Sequence, residues 1–204
     1  MKKIMAWVLS LTLILSAAGA YAGNAEPFFA QFAGMAWSFS SGVGGWSTDL
    51  EIHADGSFNG TFYNCEMEDT GELYPNGTVY GCFFTGRMSL VEQVDENTWK
   101  IRVDALGMDE GQLEEAIEDG IRYVTVEPYG VSEGDEMLLY RPGTPVSVLS
   151  EGMRFWAHVV YDEDHPTELE NWFLGNESND SGFVGFRIKA EVDLENPQEE
   201  MTAE

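Results

Sequence analysis

The sequence predicts a mainly β protein, either an antiparallel barrel or a sandwich of about 8–10 strands with one inserted helix. Apolar and polar residues alternate with a period of two through much of the chain, and turn-forming residues interrupt these runs about every 8–12 residues. Hydrophobic residues make up 44% of the 204 residues and aromatic residues 13%, which supplies enough apolar material for one core. This texture favours antiparallel strands over a βαβ arrangement.

The chain begins with the three parts of a secretory signal peptide. Two early lysines precede an apolar run from Ile4 to Leu15, and small residues then lead to the cleavage motif Ala20-Tyr21-Ala22. We expect cleavage after Ala22, so that residues 1–22 are removed and the mature protein is secreted without a membrane anchor. Residues 23–196 are then predicted to form a single β domain, and residues 197–204 a flexible acidic tail.

The chain is strongly acidic, with 36 Asp and Glu residues, 10 Lys and Arg residues and a formal net charge of −26. Removal of the signal peptide takes away Lys2 and Lys3 but no acid, which moves the charge to −28. Such a charge repels nucleic acids and anionic lipids, so we expect no nucleic-acid partner and no membrane partner. Basic proteins and divalent cations stay open as partners.

Turn signals predict two hairpins. Alternating runs at residues 50–52 and 58–62 flank Asp55-Gly56, a dipeptide typical of tight β turns. Asp95-Glu96-Asn97 marks a second turn, followed by an alternating run at residues 99–103. Further strands are predicted at residues 78–91, 121–126, 136–140, 153–161 and 182–194.

Two segments are predicted to be helical. Glu26–Phe32 carries a proline near its start and aromatic residues three and four apart, which indicates a short N-terminal helix. Between Asp109 and Asp119, Leu113, Ala116 and Ile117 recur at helical spacing among acids, and Gly120 follows as a stop. This second segment is the inserted helix of the predicted fold.

The mature chain has two cysteines, Cys65 and Cys82. An even number of cysteines in an exported protein predicts a disulfide, which would close the turn-rich loop at residues 66–77. By the chain-entropy model, a bridge over a loop of this length stabilises the fold by about 3 kcal/mol. The alternative is a pair of free thiols.

Catalytic and metal-binding motifs are weak in this chain. No nucleophile motif is present, and the three histidines do not have zinc-site spacing. Calcium is the one cofactor that the acids suggest, with candidate ligands Glu66, Glu68, Asp69, Asp162 and Asp164. A pair of carboxylates facing each other across a cleft, as in a glycoside hydrolase, stays possible because the sequence does not show such distances.

Aromatic residues are the other candidates for a binding site. Trp and Tyr side chains line many pockets for apolar or sugar-like ligands, although most of them fill cores. We expect a ligand site lined by some of the following residues: Trp37, Trp46, Tyr63, Tyr80, Trp99 and Trp156.

Six segments carry a distinctive residue pattern, at 40–50, 55–58, 69–71, 74–80, 127–130 and 140–145. In this pattern the chain resembles an uncharacterised family of proteins secreted by Firmicutes. The resemblance implies secretion but no activity, because no function of that family is known to us. Cys65 stands where such relatives have a polar residue. The Gly44-Gly45-Trp46 segment is also similar to the G-x-W motif of lipocalins, and it implies a calycin-like or lipocalin-like barrel.

The leading functional hypothesis is therefore a secreted, non-enzymatic β-barrel that binds a small ligand or a surface protein. One alternative is an extracellular hydrolase with a carboxylate pair. Another is an inhibitor or protein-interaction module that acts through its loops. An aromatic-lined cavity would favour the first, facing carboxylates the second, and a filled interior the third. The sequence does not predict an oligomeric state.

Overall fold

The alternating segments of the chain form ten strands in a computed structural model that describes residues 28–109, 111–158 and 167–187. The strands are β1 (Met35–Ser40), β2 (Trp46–Ile52), β3 (Ser57–Glu66), β4 (Thr78–Gln93), β5 (Thr98–Met108), β6 (Glu115–Glu118), β7 (Ile121–Thr125), β8 (Glu136–Tyr140), β9 (Trp172–Asn176) and β10 (Ser181–Arg187). Predictions for residues 1–27, 110, 159–166 and 188–204 lie outside the described residues. No helix among the described residues is long and apolar enough to cross a membrane.

Eight of these strands close into an antiparallel barrel in the order β1-β2-β3-β4-β5-β8-β9-β10. Pairing of β1 with β10, from Met35 opposite Arg187 to Ser38 opposite Val184, joins the two ends of the sheet. Each barrel strand lies beside the next barrel strand in the chain, which is an up-and-down topology. The prediction of a mainly β barrel with one inserted helix is confirmed.

Large side chains fill the barrel interior. An eight-stranded barrel has an interior just wide enough for side chains, and here bulky aromatic rings occupy it. Trp37 is 0% exposed, and a Cβ at the facing Gly185 would lie 2.7 Å from its ring, so only glycine fits beside it. Other buried side chains of this core are Phe39, Leu50, Phe58, Phe84, Ile101, Met137, Leu174 and Phe183.

The N-terminal segment closes one end of the barrel. Ala30–Phe32 forms a single turn of 3-10 helix, so the predicted helix at 26–32 is helical over its described part. The Phe32 ring lies 5.4 Å from the Trp37 ring and 5.1 Å from the Trp172 ring, measured between centroids. Phe28 reaches Trp99 at 5.8 Å. These rings seal the end at which β1 begins.

The loop between β7 and β8 closes the opposite end. The Thr48 hydroxyl donates a hydrogen bond of 2.7 Å to the Tyr129 carbonyl. The side-chain amide of Asn176, which is fully buried, donates to the Asp135 carboxylate at 2.7 Å and to the Gly130 carbonyl at 3.3 Å. Polar groups buried at these strand ends therefore hold the loop across the barrel.

The segment predicted as a strand at 153–161 is instead the helix α1 (Glu151–His158) over its described part. The Ser150 hydroxyl accepts a hydrogen bond from the Met153 amide at 3.1 Å, which is an N-cap contact. Met153 and Ala157 are four residues apart and both are buried, so one helix face covers the outer surface of β9 and β10. Strand alternation was predicted here because positions 153 and 157, four residues apart, fit a period of two as well as helical spacing.

The helix predicted at 109–119 is wrong, because this segment contains β6, which pairs antiparallel with β7. Asp119 and Gly120 connect the two strands with φ angles of 51° and 76°. A two-residue connection with positive φ at both positions matches the right-handed twist of a hairpin. The hairpins at Asp55-Gly56 and Asp95–Asn97 are confirmed as β2–β3 and β4–β5, whereas β1 and β9 were not predicted.

We expect Asn176→Ala to lower the free energy of unfolding by about 1–3 kcal/mol, because it leaves the buried Gly130 carbonyl without this donor and removes one of the two donors to the half-buried Asp135 carboxylate. Urea denaturation followed by tryptophan fluorescence measures this change. Asn59→Ala, at an exposed strand position, is the control and should change stability by less than about 0.5 kcal/mol. Equal effects of the two substitutions would contradict the role assigned to Asn176.

Candidate functional site

A groove of about 490 Å³ lies on the outer face of the barrel, where β3 and β4 meet β7. We call this cavity the outer groove, and its volume lies in the range typical of ligand sites. Strand alternation turns its main lining side chains away from the barrel interior. The lining side chains include Thr61, Tyr63, Val79, Phe83, Gln112 and Tyr123.

The length of β4 creates the outer groove. One edge of β4 pairs with β3 from Thr78 to Arg87. Its other edge pairs first with β7 in parallel, from Thr78 to Gly81, and then with β5 in an antiparallel ladder that starts at Phe84. Two neighbours therefore share one edge of the same strand and diverge beside Phe83, which opens the sheet at this point.

Gln112 bridges the divergence between β5 and β7. Its side-chain oxygen accepts a hydrogen bond from the Phe83 amide at 2.6 Å, and its side-chain nitrogen donates to the Phe83 carbonyl at 2.7 Å. A side-chain amide thus replaces a neighbouring peptide group in the ladder of β4. This double contact holds the segment between β5 and β6 against β4, where the segment borders the outer groove.

A polar network on the opposite face holds the β6–β7 hairpin, which forms a wall of the outer groove. The Arg122 guanidinium lies 3.1 Å from the Glu115 carboxylate, 3.8 Å from the Asp69 carboxylate and 5.4 Å from the Tyr74 ring centroid. Tyr80 donates to Asp69 at 2.5 Å. This hydrogen bond, with a smaller contribution from Arg122, lowers the pKa of Asp69, and the same bond raises the pKa of Tyr80.

Two aromatic rings in the outer groove are open to solvent. Phe83 is 60% exposed and Tyr123 is 41% exposed, although both lie on strands that are hydrogen-bonded to neighbouring strands. Contiguous exposed apolar surface in a groove is typical of binding sites. Sequence reasoning did not select Phe83, Gln112 or Tyr123. Alternation along β4 carried a signal for Phe83, since it places this ring on the face opposite the buried Phe84.

The six predicted ligand-binding aromatic residues do not form one site. Tyr63 alone lines the outer groove, and Tyr80 belongs to the polar network beside it. Trp46 and Trp156 meet with ring centroids 5.7 Å apart at the end closed by the β7–β8 loop. The two remaining members of the set lie elsewhere, in the filled interior and at the end sealed by the N-terminal segment: Trp37 and Trp99.

The predicted calcium ligands are not gathered into a site within the described residues. No group of three or more His, Cys, Asp or Glu side chains that could hold a metal occurs there. Asp69 instead accepts from Tyr80 and faces Arg122, and these contacts occupy its carboxylate. Asp162 and Asp164 lie outside the described residues, and so calcium binding by that segment stays a prediction.

The carboxylates of the described residues give no support to the hydrolase alternative. Asp55, Asp69 and Glu115 have lowered pKa values, caused mainly by hydrogen bonds from Ser57, Tyr80 and Arg122 respectively. A general acid in glycoside hydrolysis needs a raised pKa so that it keeps its proton near neutral pH. These three shifts run in the opposite direction and mark structural contacts.

The predicted disulfide is wrong, because Cys65 and Cys82 are both free thiols. Cys65 lies opposite Val79, and Cys82 lies opposite Phe62 on the neighbouring strand. The two cysteines are therefore three positions out of register, which turns their side chains to opposite faces of the sheet. Such side chains cannot reach each other without a change of backbone.

We expect Gln112→Ala to loosen the β6–β7 hairpin, because Phe83 then loses both of its side-chain partners. Hydrogen exchange followed by mass spectrometry should show faster exchange at residues 112–125, by roughly ten-fold, with the barrel strands unchanged. Gln93→Ala, at the end of β4, is the matched control. Unchanged exchange at 112–125 in Gln112→Ala would show that the bridge contributes nothing.

We expect the two thiols to react with a disulfide reagent at different rates in the native protein. Cys65 is half-buried on the outer face, whereas burial and then the charges of Asp109 and Glu127 raise the pKa of Cys82 to about 11. At pH 8 only about one Cys82 thiol in a thousand is then ionised, and the thiolate is the reactive form. Single variants, Cys65→Ser and Cys82→Ser, assign the two phases. One fast phase from Cys82 would contradict this geometry.

Comparisons with known proteins leave the chain without a relative from which a function could be transferred. Searches of family models, of curated proteins and of solved structures find no match. The resemblance to secreted proteins of Firmicutes therefore stays a prediction.

Proposed function

We propose that this chain is an exported, non-enzymatic protein-interaction module that binds a segment of a partner protein in its outer groove. One observation carries the proposal. Side chains fill the barrel interior and loops close both of its ends, while the groove of about 490 Å³ lies outside, with the Phe83 ring exposed. Export is supported by the signal-like residues 1–22 and by the acidic composition.

A partner protein fits the outer groove better than a small molecule does. Small-ligand sites bury most of the ligand surface, which requires an enclosed cavity. The outer groove lies instead on a sheet face, and its Phe83 and Tyr123 rings remain accessible from the side. Exposed aromatic rings at the centre of a docking surface are typical of the residues that dominate protein interfaces. Ligand uptake into the barrel itself would require Trp37 and its neighbours to leave the core.

The test is selection of 12-residue peptides from a random display library on the immobilised mature protein. We expect the enriched peptides to bind Phe83→Ala at least ten-fold more weakly, because this substitution removes the most exposed ring of the outer groove. Phe155→Ala is the matched control, since Phe155 is 62% exposed on α1, away from the outer groove. Fluorescence anisotropy with labelled synthetic peptides gives the affinities.

Both variants should unfold within about 0.5 kcal/mol of the parent protein, because both rings are exposed. If Phe83→Ala and Phe155→Ala bind the selected peptides equally well, the outer groove is not the docking site. Selected peptides that compete for one site but bind the parent protein and Phe83→Ala equally well would lead to the same conclusion.

A further inference from the structure

Carboxylates surround the outer groove, and this charge indicates what kind of segment it accepts. Asp49 lies directly opposite Thr61, a groove residue, on the neighbouring strand. Asp109 follows β5, and its amide donates to the Phe83 carbonyl at 3.0 Å. Glu127 follows Val126, whose amide donates to the carbonyl of Gly81, a groove residue, at 3.2 Å. Glu118 lies two positions from Ala116, which pairs with Tyr123, and therefore on the same face of the hairpin.

No positively charged side chain balances these acids within the described part of the chain. None of the lining residues is Lys or Arg. Arg122 lies on the opposite face of the hairpin, where it is tied to Glu115 and Asp69. On the outer face of β4, Arg87 is four positions beyond Phe83, and it lies 3.3 Å from the Asp55 carboxylate at the other end of the barrel.

Asp109 and Glu127 are both exposed, and neither has an ion pair with a described residue. Both charges act near the part of β4 that lines the outer groove, since both raise the pKa of the Cys82 thiol, which is next to Phe83 in the chain but on the interior face of the strand. An apolar groove whose edges carry unbalanced negative charge attracts cations and discriminates against anions.

We propose that the segment bound in the outer groove is cationic and apolar, with a bulky apolar side chain flanked by Lys or Arg. This inference rests on the proposed function and names the chemistry of the partner. The apolar side chain packs on Phe83 and Val79 in the groove. The flanking cations lie beside Asp49, Asp109 and Glu127, and the exposed faces of Tyr63 and Tyr123 accept a cation as well.

Salt weakens the electrostatic contribution of these acids to binding. Asp109 and Glu127 are exposed and Asp49 is half-buried, so each contact with a cation stabilises the complex modestly, and the sum over several contacts decides the selectivity. The screening length is about 6 Å at 0.3 M salt and about 18 Å at 0.03 M, so the acids attract a bound cation over a longer range at the lower salt. Binding should therefore weaken with salt while the apolar contribution stays constant.

The first measurement is the composition of the library peptides whose binding depends on Phe83. We expect these peptides to carry a net positive charge and at least one aromatic or large aliphatic residue. The strongest one is then synthesised in two forms, as selected and with glutamine in place of every Lys and Arg. Anisotropy at 0.03 M and 0.3 M NaCl should show roughly ten-fold weaker binding at the higher salt for the cationic form only.

The second measurement removes the charges on the protein. The double variant Asp109→Asn with Glu127→Gln should weaken binding of the cationic peptide by about five-fold at low salt. The matched double variant Glu96→Gln with Glu168→Gln makes the same change of net charge at exposed positions away from the outer groove, and it should change binding by less than two-fold.

The outcomes separate the two proposals. Groove-dependent peptides that are neutral or acidic, or a glutamine form that binds as tightly as the cationic form, would overturn the charge preference and leave the docking site in place. Equal weakening by the two double variants would show attraction by the whole protein, which also overturns the preference. If no selected peptide depends on Phe83, both proposals fail together.

Discussion

Closure of the barrel by the pairing of β10 with β1 is the constraint on which the rest of the structure depends. Once eight strands are closed, the space around the axis is fixed, and Trp37, Phe39 and Phe183 occupy it. Every further element must then attach to the outside or to an end. The N-terminal segment and the β7–β8 loop close the ends, and α1 covers one side, so only the outer surface is left for recognition.

The outer groove follows from one departure from this regular barrel. β4 has 16 residues, and β5 pairs with its second edge only from Phe84 onward, so the first part of that edge takes β7 as its neighbour. Between β5 and β7, the Gln112 side chain makes the hydrogen bonds to β4 that a neighbouring strand would otherwise make. An irregular ladder of this kind leaves some side chains uncovered by neighbouring elements, and the exposed ring of Phe83 is one of them.

Much of the barrel could be predicted because its hairpins are local. The hairpin at Asp55-Gly56 can be predicted from a few neighbouring residues, whereas the segment 109–119 satisfies the pattern of a helix and that of a hairpin at once. Helical spacing of Leu113, Ala116 and Ile117 competes with the Asp119-Gly120 turn, and pairing with β7 decides between them. The disulfide was predicted from the even number of cysteines, the expected export and the turn-rich loop between them, whereas strand register decides which face each thiol takes. The candidate site depends on long-range pairing of β4, so alternation could place Phe83 outside but could not show what lies beside it.

The same carboxylates that favour a cationic partner also protect an exposed apolar groove from self-association. Two copies that met through their outer grooves would bring Asp49, Asp109 and Glu127 of each against their counterparts, and like charges at an interface oppose binding. The net charge of −26 adds repulsion at longer range. Phe83 can therefore stay 60% exposed without driving aggregation, because only a segment of opposite charge covers it without this electrostatic cost.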